Sequence, residues 1–396
     1  MQEVDMGSTS TPSATRDELV ARAAKLVPRL LERGQKTDQL REIPAETVHE
    51  LRQEGLLRVG NPQRFGGPGL DYDASLLVTA ELGRGCGSTA WCYSVWQSHN
   101  WVVGHWPPEM QEEYFAESPD TISSSAFTPS GQLQPVDGGY RLSGRWDFSS
   151  GCDPATWVFL GAMGPEGPVM LWLPRSDWRI VDTWFVSGMR GTGSKDVVVE
   201  DAFVPAYRVL PMARLLEAQT YGWEVHSRPS YRLPLWCIMS FTLVAPLVGI
   251  ARGAVECFVD YTCQRVLGIL GMRAAEMESI QVRLAESWVE ADLARLLMVN
   301  DLDEMLSKAA RGESLTLADR ARYRRDQAFI STLCVRATNR LFDASGAHAL
   351  FESHPLQRFH RDVHAGSHQV ALYWDVIAQQ FGRVMLGLEP SAPHWI

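Results

Sequence analysis

Ser149 and Ser150 end a stretch in which large side chains alternate with polar or small ones: Tyr140, Leu142, Trp146 and Phe148. Asp137-Gly138-Gly139 before it is a tight-turn signal, because such a turn needs positive φ and Gly takes it at little cost. Ser143-Gly144 reads as a further turn. The stretch is then a β-hairpin whose second strand carries Trp146, Phe148 and two hydroxyls before Gly151. A strand end of this kind suits the edge of a flat ligand: aromatic faces wall the ring, and a hydroxyl or backbone N–H meets its polar rim. The same residues also suit an ordinary hairpin with a buried Trp.

Other groups that could carry chemistry fail on their spacing. Gly188-Met189-Arg190-Gly191-Thr192-Gly193-Ser194-Lys195 has the glycines of a phosphate loop, but Ser precedes Lys and a strand follows where a helix is needed. It fails as a dinucleotide fingerprint too, since Asp196 stands at the third Gly position. No Gly-x-Ser-x-Gly elbow is present to carry an esterase triad. His360, His364 and His368 recur every fourth residue, and such positions drift about 40° per step around a helix. Three rings so placed do not converge on one tetrahedral ion, so no metal site is expected.

The elements that must position these residues change texture along the chain. Met1 to Thr15 read as a disordered polar tail, without the basic-then-apolar order of a signal peptide. Residues 16–120 read as a helical domain. Leu19, Ala23, Leu26, Leu30 and Leu31 share one helical face, which Gly34 should close, and Pro44 starts a second helix. Asn61 to Gly69 is a Pro/Gly-rich loop. Asp71 or Asp73 can cap a third helix, and Ser88-Thr89 a fourth that carries Trp91, Val95 and His99. Residues 121–207 show short β-branched runs among many Gly and Pro, a β domain of barrel or sandwich type. From 208 to 396 the pattern is again helical. Phe241–Cys263, Ser279–Leu306, Leu317–Phe342 and Ala365–Leu386 are enough for a four-helix bundle.

The 396 residues exceed one average domain, and 45% hydrophobic with 21% charged content describes an ordinary globular chain. A net charge of -10 without a basic run argues against nucleic acid as a partner. No apolar run is read as long enough to span a membrane. Seven cysteines, an odd count without a Cys-x-x-Cys pair, read as reduced thiols and a cytoplasmic location.

Together these features resemble the acyl-CoA dehydrogenase fold, an α+β architecture of N-terminal helices, a central β-barrel or sandwich and a C-terminal four-helix bundle. Ile43-Pro44, Gly55-Leu56, Pro62 and Phe65-Gly66-Gly67-Pro68-Gly69-Leu70 match its entry signature. Gly188 to Ser194 with Phe203-Val204-Pro205 match the exit from the β domain, and Arg361-Asp362 match the approach to the last helix. The likeness covers Arg16 to Leu388. Within the superfamily the chain is most similar to the oxygenase components of two-component (group D) flavin monooxygenases, such as those acting on 4-hydroxyphenylacetate or on a secosteroid phenol. Cys86 to Trp91, His99-Asn100-Trp101, Ile122 to Ser125 and Trp146 to Asp153 carry that likeness. A dehydrogenase needs a Glu near the final helix as base, and no Glu lies between Glu352 and Glu389.

The resemblance implies a reduced flavin, FADH2 or FMNH2, delivered by a separate NAD(P)H:flavin reductase, and O2 as co-substrate. A C4a-hydroperoxide is then kept dry while an aromatic substrate, a phenol or an indole, takes the oxygen. It implies Ser150 at flavin N5, with Phe148 and Ser149 beside it and Trp91 near the ring. Arg265 is implied at the flavin phosphate, and Gly346 and Ala347 as a backbone contact from a neighbouring subunit of a homo-oligomer, a dimer or tetramer. His99 and Ser125 match the substrate-side pair, with His99 holding the phenol proton. Where phenol hydroxylases place a His near the reactive edge, this chain has Gln369, with His368 one residue earlier and about 100° away if that segment is helical. Gln hydrogen-bonds but does not exchange a proton. An amine N-oxygenase on the same fold and a catalytically silent binding protein are the competing readings.

Overall fold

The computed structural model describes residues 14–267 and 271–392, so the expected tail lies almost wholly outside the described residues. Helix α1 (Arg16–Leu40) starts at a reciprocal cap: Glu18 N donates to the Thr15 hydroxyl and Thr15 N donates to the Glu18 carboxylate at 2.7 Å. Gly34 does not close it. Gly34 is a packing residue, where a Cβ would collide with the Arg358 guanidinium. The chain leaves the helix at Arg41, in the left-handed region with φ 56.

Helices α2 (Ala45–Gln53) and α3 (Asp73–Gly83) lead to α4 (Gly87–Val102), and α5 (Pro108–Phe115) closes the first region. Every residue of α4 is buried. Ser88 and Thr89 lie inside its first turn rather than capping it, and their buried hydroxyls have no partner among the described residues.

Strands β1 (Ser123–Val136), β2 (Gly139–Ser149), β3 (Trp157–Gly164), β4 (Gly167–Pro174), β5 (Arg179–Val181), β6 (Lys195–Pro205) and β7 (Val209–Pro211) form one sheet in the order β5-β6-β2-β1-β3-β4-β7. Only β1 and β3 run parallel. The turn expected at Ser143-Gly144 is instead an irregularity within β2, where its pairing with β6 slips between Leu142 and Gly144. The true hairpin turn is at Asp137-Gly138, with Gly138 at φ 76.

Three short helices, α6 (Met212–Leu216), α7 (Gly222–Val225) and α8 (Leu235–Met239), connect the sheet to the bundle. The bundle comprises α9 (Phe241–Gln264), the small hairpin β8 (Val266–Leu267) and β9 (Met272–Arg273), α10 (Glu278–Ala310), α11 (Leu317–Ala344), α12 (Pro355–Ser367) and α13 (Trp374–Met385). The single helix expected over Ala365–Leu386 is thus broken. Gln369 leaves the helical region at ψ 129, and its side-chain oxygen caps a short turn by accepting Ala371 N at 2.6 Å.

Leu235–Gln264 corrects the reading that no run is long enough to span a membrane: its apolar window has mean hydropathy 1.7. That window is 89% buried inside the fold, so its composition is explained by core packing on all sides. Gly83 and Gly249 let α3 and α9 cross closely, since a Cβ on Gly83 would stand 2.8 Å from Gly249 Cα. Gly249→Ala is expected to destabilise the protein by about 1–3 kcal/mol through overpacking, read as a lower denaturant midpoint. An unchanged midpoint would show that the crossing has slack.

Candidate active site

The end of β2 is held by its partner strand and by a bend. Trp146 pairs with Val197 and Ser149 with Lys195, with an irregularity between. Phe148 takes φ 59, a left-handed conformation that costs a non-glycine residue energy and is found where the surroundings enforce it. The bend turns the Phe148 ring outward, 65% exposed, with its edge on Trp184 at 5.9 Å. Gly151 N donates to the Thr192 carbonyl at 2.8 Å, which fixes the chain beyond the bend.

The two hydroxyls point to different neighbours. Ser149 Oγ donates to Ser124 Oγ at 3.0 Å, tying β2 to β1. Ser150 Oγ accepts Trp91 Nε1 at 3.2 Å and lies 2.7 Å from Ser194 Oγ. Ser194 Oγ in turn lies 2.6 Å from Thr192 Oγ1, which donates to the Met189 carbonyl at 2.9 Å. Trp184, the residue against Phe148, donates to that same carbonyl at 3.0 Å.

A second group surrounds His99 on α4, eight residues or about 12 Å along the helix from Trp91. His99 Nδ1 lies 2.8 Å from the Ser123 carbonyl. A carbonyl only accepts, so Nδ1 carries the proton and Nε2 keeps a lone pair. Burial pushes the ring down to about 4, so it is neutral around pH 7. Its edges meet Phe159 at 5.8 Å and Trp172 at 6.2 Å. Ser125 pairs with Phe159 in the parallel β1–β3 ladder, and Phe127 stands edge-on to Phe159 at 5.3 Å and beside Trp236 at 5.6 Å. The wall around His99 is therefore aromatic. Because Ser123, Ser124 and Ser125 are consecutive on β1, the Ser124–Ser149 bond joins this group to the end of β2.

The bundle closes on Trp91 from the other side. A Cβ on Gly366 of α12 would stand 3.2 Å from Trp91 Cζ3. Asp362 Oδ1 accepts Met189 N at 2.6 Å, and Arg361 reaches the Ser187 carbonyl and Asp38, each at 2.7 Å. Burial and the nearby Asp38 push the Asp362 carboxyl above the usual carboxylate range. The chain leaves the helix at His368 and Gln369, so the expected 100° separation of the two does not apply. His368 is exposed and its Nδ1 donates to the His364 carbonyl at 2.7 Å. The Gln369 oxygen faces Ala371 N, which leaves its NH2 as a donor.

Arg265 ends α9 and donates to the Ala344 carbonyl at 2.9 Å, and among the described residues it has no carboxylate partner. Gly346, at φ 70, lies against it: a Cβ would stand 2.5 Å from Arg265 Nη2. Ala347 follows, exposed. These residues suit a flavin: an outward-facing aromatic at Phe148, a hydroxyl with a lone pair to spare at Ser150, and a cation beside a side-chain-free backbone for a phosphate.

The structure thus brings Trp91, Ser149 and Ser150 together, and His99 with Ser125. Arg265, Gly346 and Ala347 form a separate unit. Sequence reasoning singled out Gly188 to Ser194 as a family signature but did not assign the Thr192 and Ser194 hydroxyls to the site. The signal lay in two hydroxyls flanking Gly193 just before β6, yet only the Ser149–Lys195 pairing shows that they meet Ser150.

The acyl-CoA dehydrogenase N-terminal domain model matches residues 13–117 and the C-terminal domain model matches residues 241–372. The oxygenase subunit HsaA of a flavin-dependent monooxygenase from Mycobacterium tuberculosis is 35% identical over 97% of this chain and 99% of its own length. The oxygenase component of the FADH(2)-dependent resorcinol hydroxylase from a Rhizobium species is 33% identical over 98% of this chain and 100% of its own. The crystal structure of the HsaA monooxygenase from M. tuberculosis superposes with TM-score 0.90 at 34% identity, covering 97% of this chain and 100% of that one. The chain belongs to the acyl-CoA dehydrogenase superfamily and, within it, to the oxygenase components of flavin-dependent monooxygenases.

Proposed function

We propose that this chain hydroxylates a phenol-type substrate, using reduced FAD delivered by a separate NAD(P)H:flavin reductase. One observation carries the choice of substrate: a buried, neutral His99 with a lone pair on Nε2, its ring edge-on to Phe159 and Trp172, and Phe127 packed on Phe159. An acceptor in an aromatic wall matches a ring bearing a hydroxyl, and it draws electron density from O–H into the ring carbon that is to be oxygenated. A resorcinol hydroxylase among the relatives supports the same class, and its FADH(2) dependence supports FAD. Ser125 lies on the same wall and assists in orienting the substrate.

When bound, the reduced flavin activates O2. The protein's own residues bind and orient it and keep water away. Phe148 and Trp91 contact the ring, Ser149 holds the strand end, and Ser150 meets N5. Gln369 and His368 follow Gly366, the α12 residue against Trp91, and serve the reactive edge, with the Gln369 NH2 a donor and His368 a group able to exchange a proton. A phenol screen with reduced FAD and a generic reductase tests the reading. Hydroxylated product is expected, and peroxide alone from every phenol tried would reject it.

Arg265 takes the flavin phosphate, and Gly346 and Ala347 make a backbone contact with the flavin of a neighbouring subunit. Removing one charge-assisted contact by Arg265→Ala is expected to weaken FAD binding about tenfold or more while leaving riboflavin, which has no phosphate, unaffected. Equal loss for both ligands would remove Arg265 from this role. The chain acts as a soluble cytoplasmic homo-oligomer. Val282, Val289, Leu293 and Leu296 form an exposed apolar stripe on α10, at spacings of seven, four and three residues that suit a facing helix. A monomer by sedimentation equilibrium would overturn that assignment.

A further inference from the structure

We infer that Thr192 and Ser194 are positioning residues that fix the direction of the Ser150 hydroxyl, so that the site discriminates between the oxidation states of the flavin. The inference rests on the assignment of Ser150 to N5. Four oxygens form one chain: Ser150 Oγ to Ser194 Oγ at 2.7 Å, Ser194 Oγ to Thr192 Oγ1 at 2.6 Å, and Thr192 Oγ1 to the Met189 carbonyl at 2.9 Å. A hydroxyl has one proton and a carbonyl has none. The Met189 carbonyl must therefore receive the Thr192 proton, which obliges Thr192 to accept from Ser194 and Ser194 to accept from Ser150. Any other order sets two lone pairs against each other in a buried place, where Ser194 and Thr192 are 4% and 1% exposed.

Ser150 has then spent its proton. Of its two lone pairs, one receives Trp91 Nε1 at 3.2 Å and one is left. Towards a ligand Ser150 is an acceptor only. A reduced flavin carries hydrogen on N5 and satisfies it, whereas oxidised N5 brings a lone pair and meets a lone pair. The anchor of the relay is itself held. Met189 N donates to Asp362 at 2.6 Å, and Trp184 Nε1 donates to the Met189 carbonyl at 3.0 Å. An oxygenase loaded by diffusion benefits from this bias, because spent flavin leaves and reduced flavin enters.

The test measures anaerobic dissociation constants of the full-length protein for photoreduced FAD and for oxidised FAD. Ser194→Ala frees the Ser150 proton to donate to oxidised N5. It is expected to tighten oxidised FAD about tenfold, with reduced FAD changing less than threefold. That tenfold change lowers the bound flavin's two-electron potential by about 30 mV. Thr192→Val should act in the same direction, and Thr192→Ser, which keeps the hydroxyl, should restore the parent ratio. If Ser194→Ala and Thr192→Val leave the ratio of the two constants unchanged, or weaken both forms equally, the relay is overturned. Ser150→Ala separates the two ideas: if it moves neither constant, the assignment of Ser150 to N5 fails, and if it weakens reduced FAD while the relay variants keep the parent ratio, only the relay fails.

Discussion

Ser150→Ala is expected to turn a coupled hydroxylase into one that releases most of its oxygen as hydrogen peroxide. Ser150 is only 8% exposed, and its free lone pair is offered where Trp91, the end of β2 and the Gly188–Ser194 loop converge. Removing it leaves a ligand N–H unsatisfied in a site with little water, at a cost of about 1–3 kcal/mol. Every 1.4 kcal/mol is about tenfold in a rate or equilibrium constant, so the unproductive branch should gain roughly one to two orders of magnitude. The substitution deletes one oxygen and creates little space, so the fold should be retained. The measurement is product formed and peroxide released per NADH oxidised, with reductase in excess. Coupling equal to the parent protein's would show that Ser150 does not guard N5.

How far such a site is legible in sequence depends on whether its logic is local. The alternation Tyr140, Leu142, Trp146, Phe148 marks a strand, and Ser149-Ser150 marks its polar end, because strand periodicity is written in consecutive residues. Trp91, Val95 and His99 mark a helix face for the same reason. What does not show is contact across the chain. Gly34 looks like a helix stop until Arg358, more than three hundred residues later, is seen to need its space. Leu235–Gln264 is apolar enough for a membrane, and only its neighbours reveal that it is wrapped by the rest of the protein. Gln369 reads as a helical residue, but its side chain caps a turn and breaks the helix. The direction of the Ser150 proton is the least local property of all, since it is dictated by a carbonyl three oxygens away.

His99→Asn should lower the hydroxylation rate about 100- to 10,000-fold, the range of a single acid–base group, while leaving FAD affinity and the fold intact. Asparagine is the informative replacement because its amide NH2 reproduces Nδ1–H and still donates to the Ser123 carbonyl, yet nothing reaches the position of Nε2. The change therefore separates holding the helix to β1 from accepting the substrate's proton. The pH profile supplies an independent check. Burial lowers the ring to about 4, so the neutral form with its lone pair is present above that value and is lost only as pH falls through about 4. Activity should thus show no His99 limb near 6.5, the ordinary value for histidine. The linked stability has the same sign: it is complete above about 6.5, where the unfolded ring is also neutral, and declines as pH falls towards about 4. A limb at 6.5 that disappears in His99→Asn would mean that the ring is solvated in the working enzyme. A rate within threefold of the parent protein's would move the proton to another group, and His368, exposed at the end of α12, would be the next to replace.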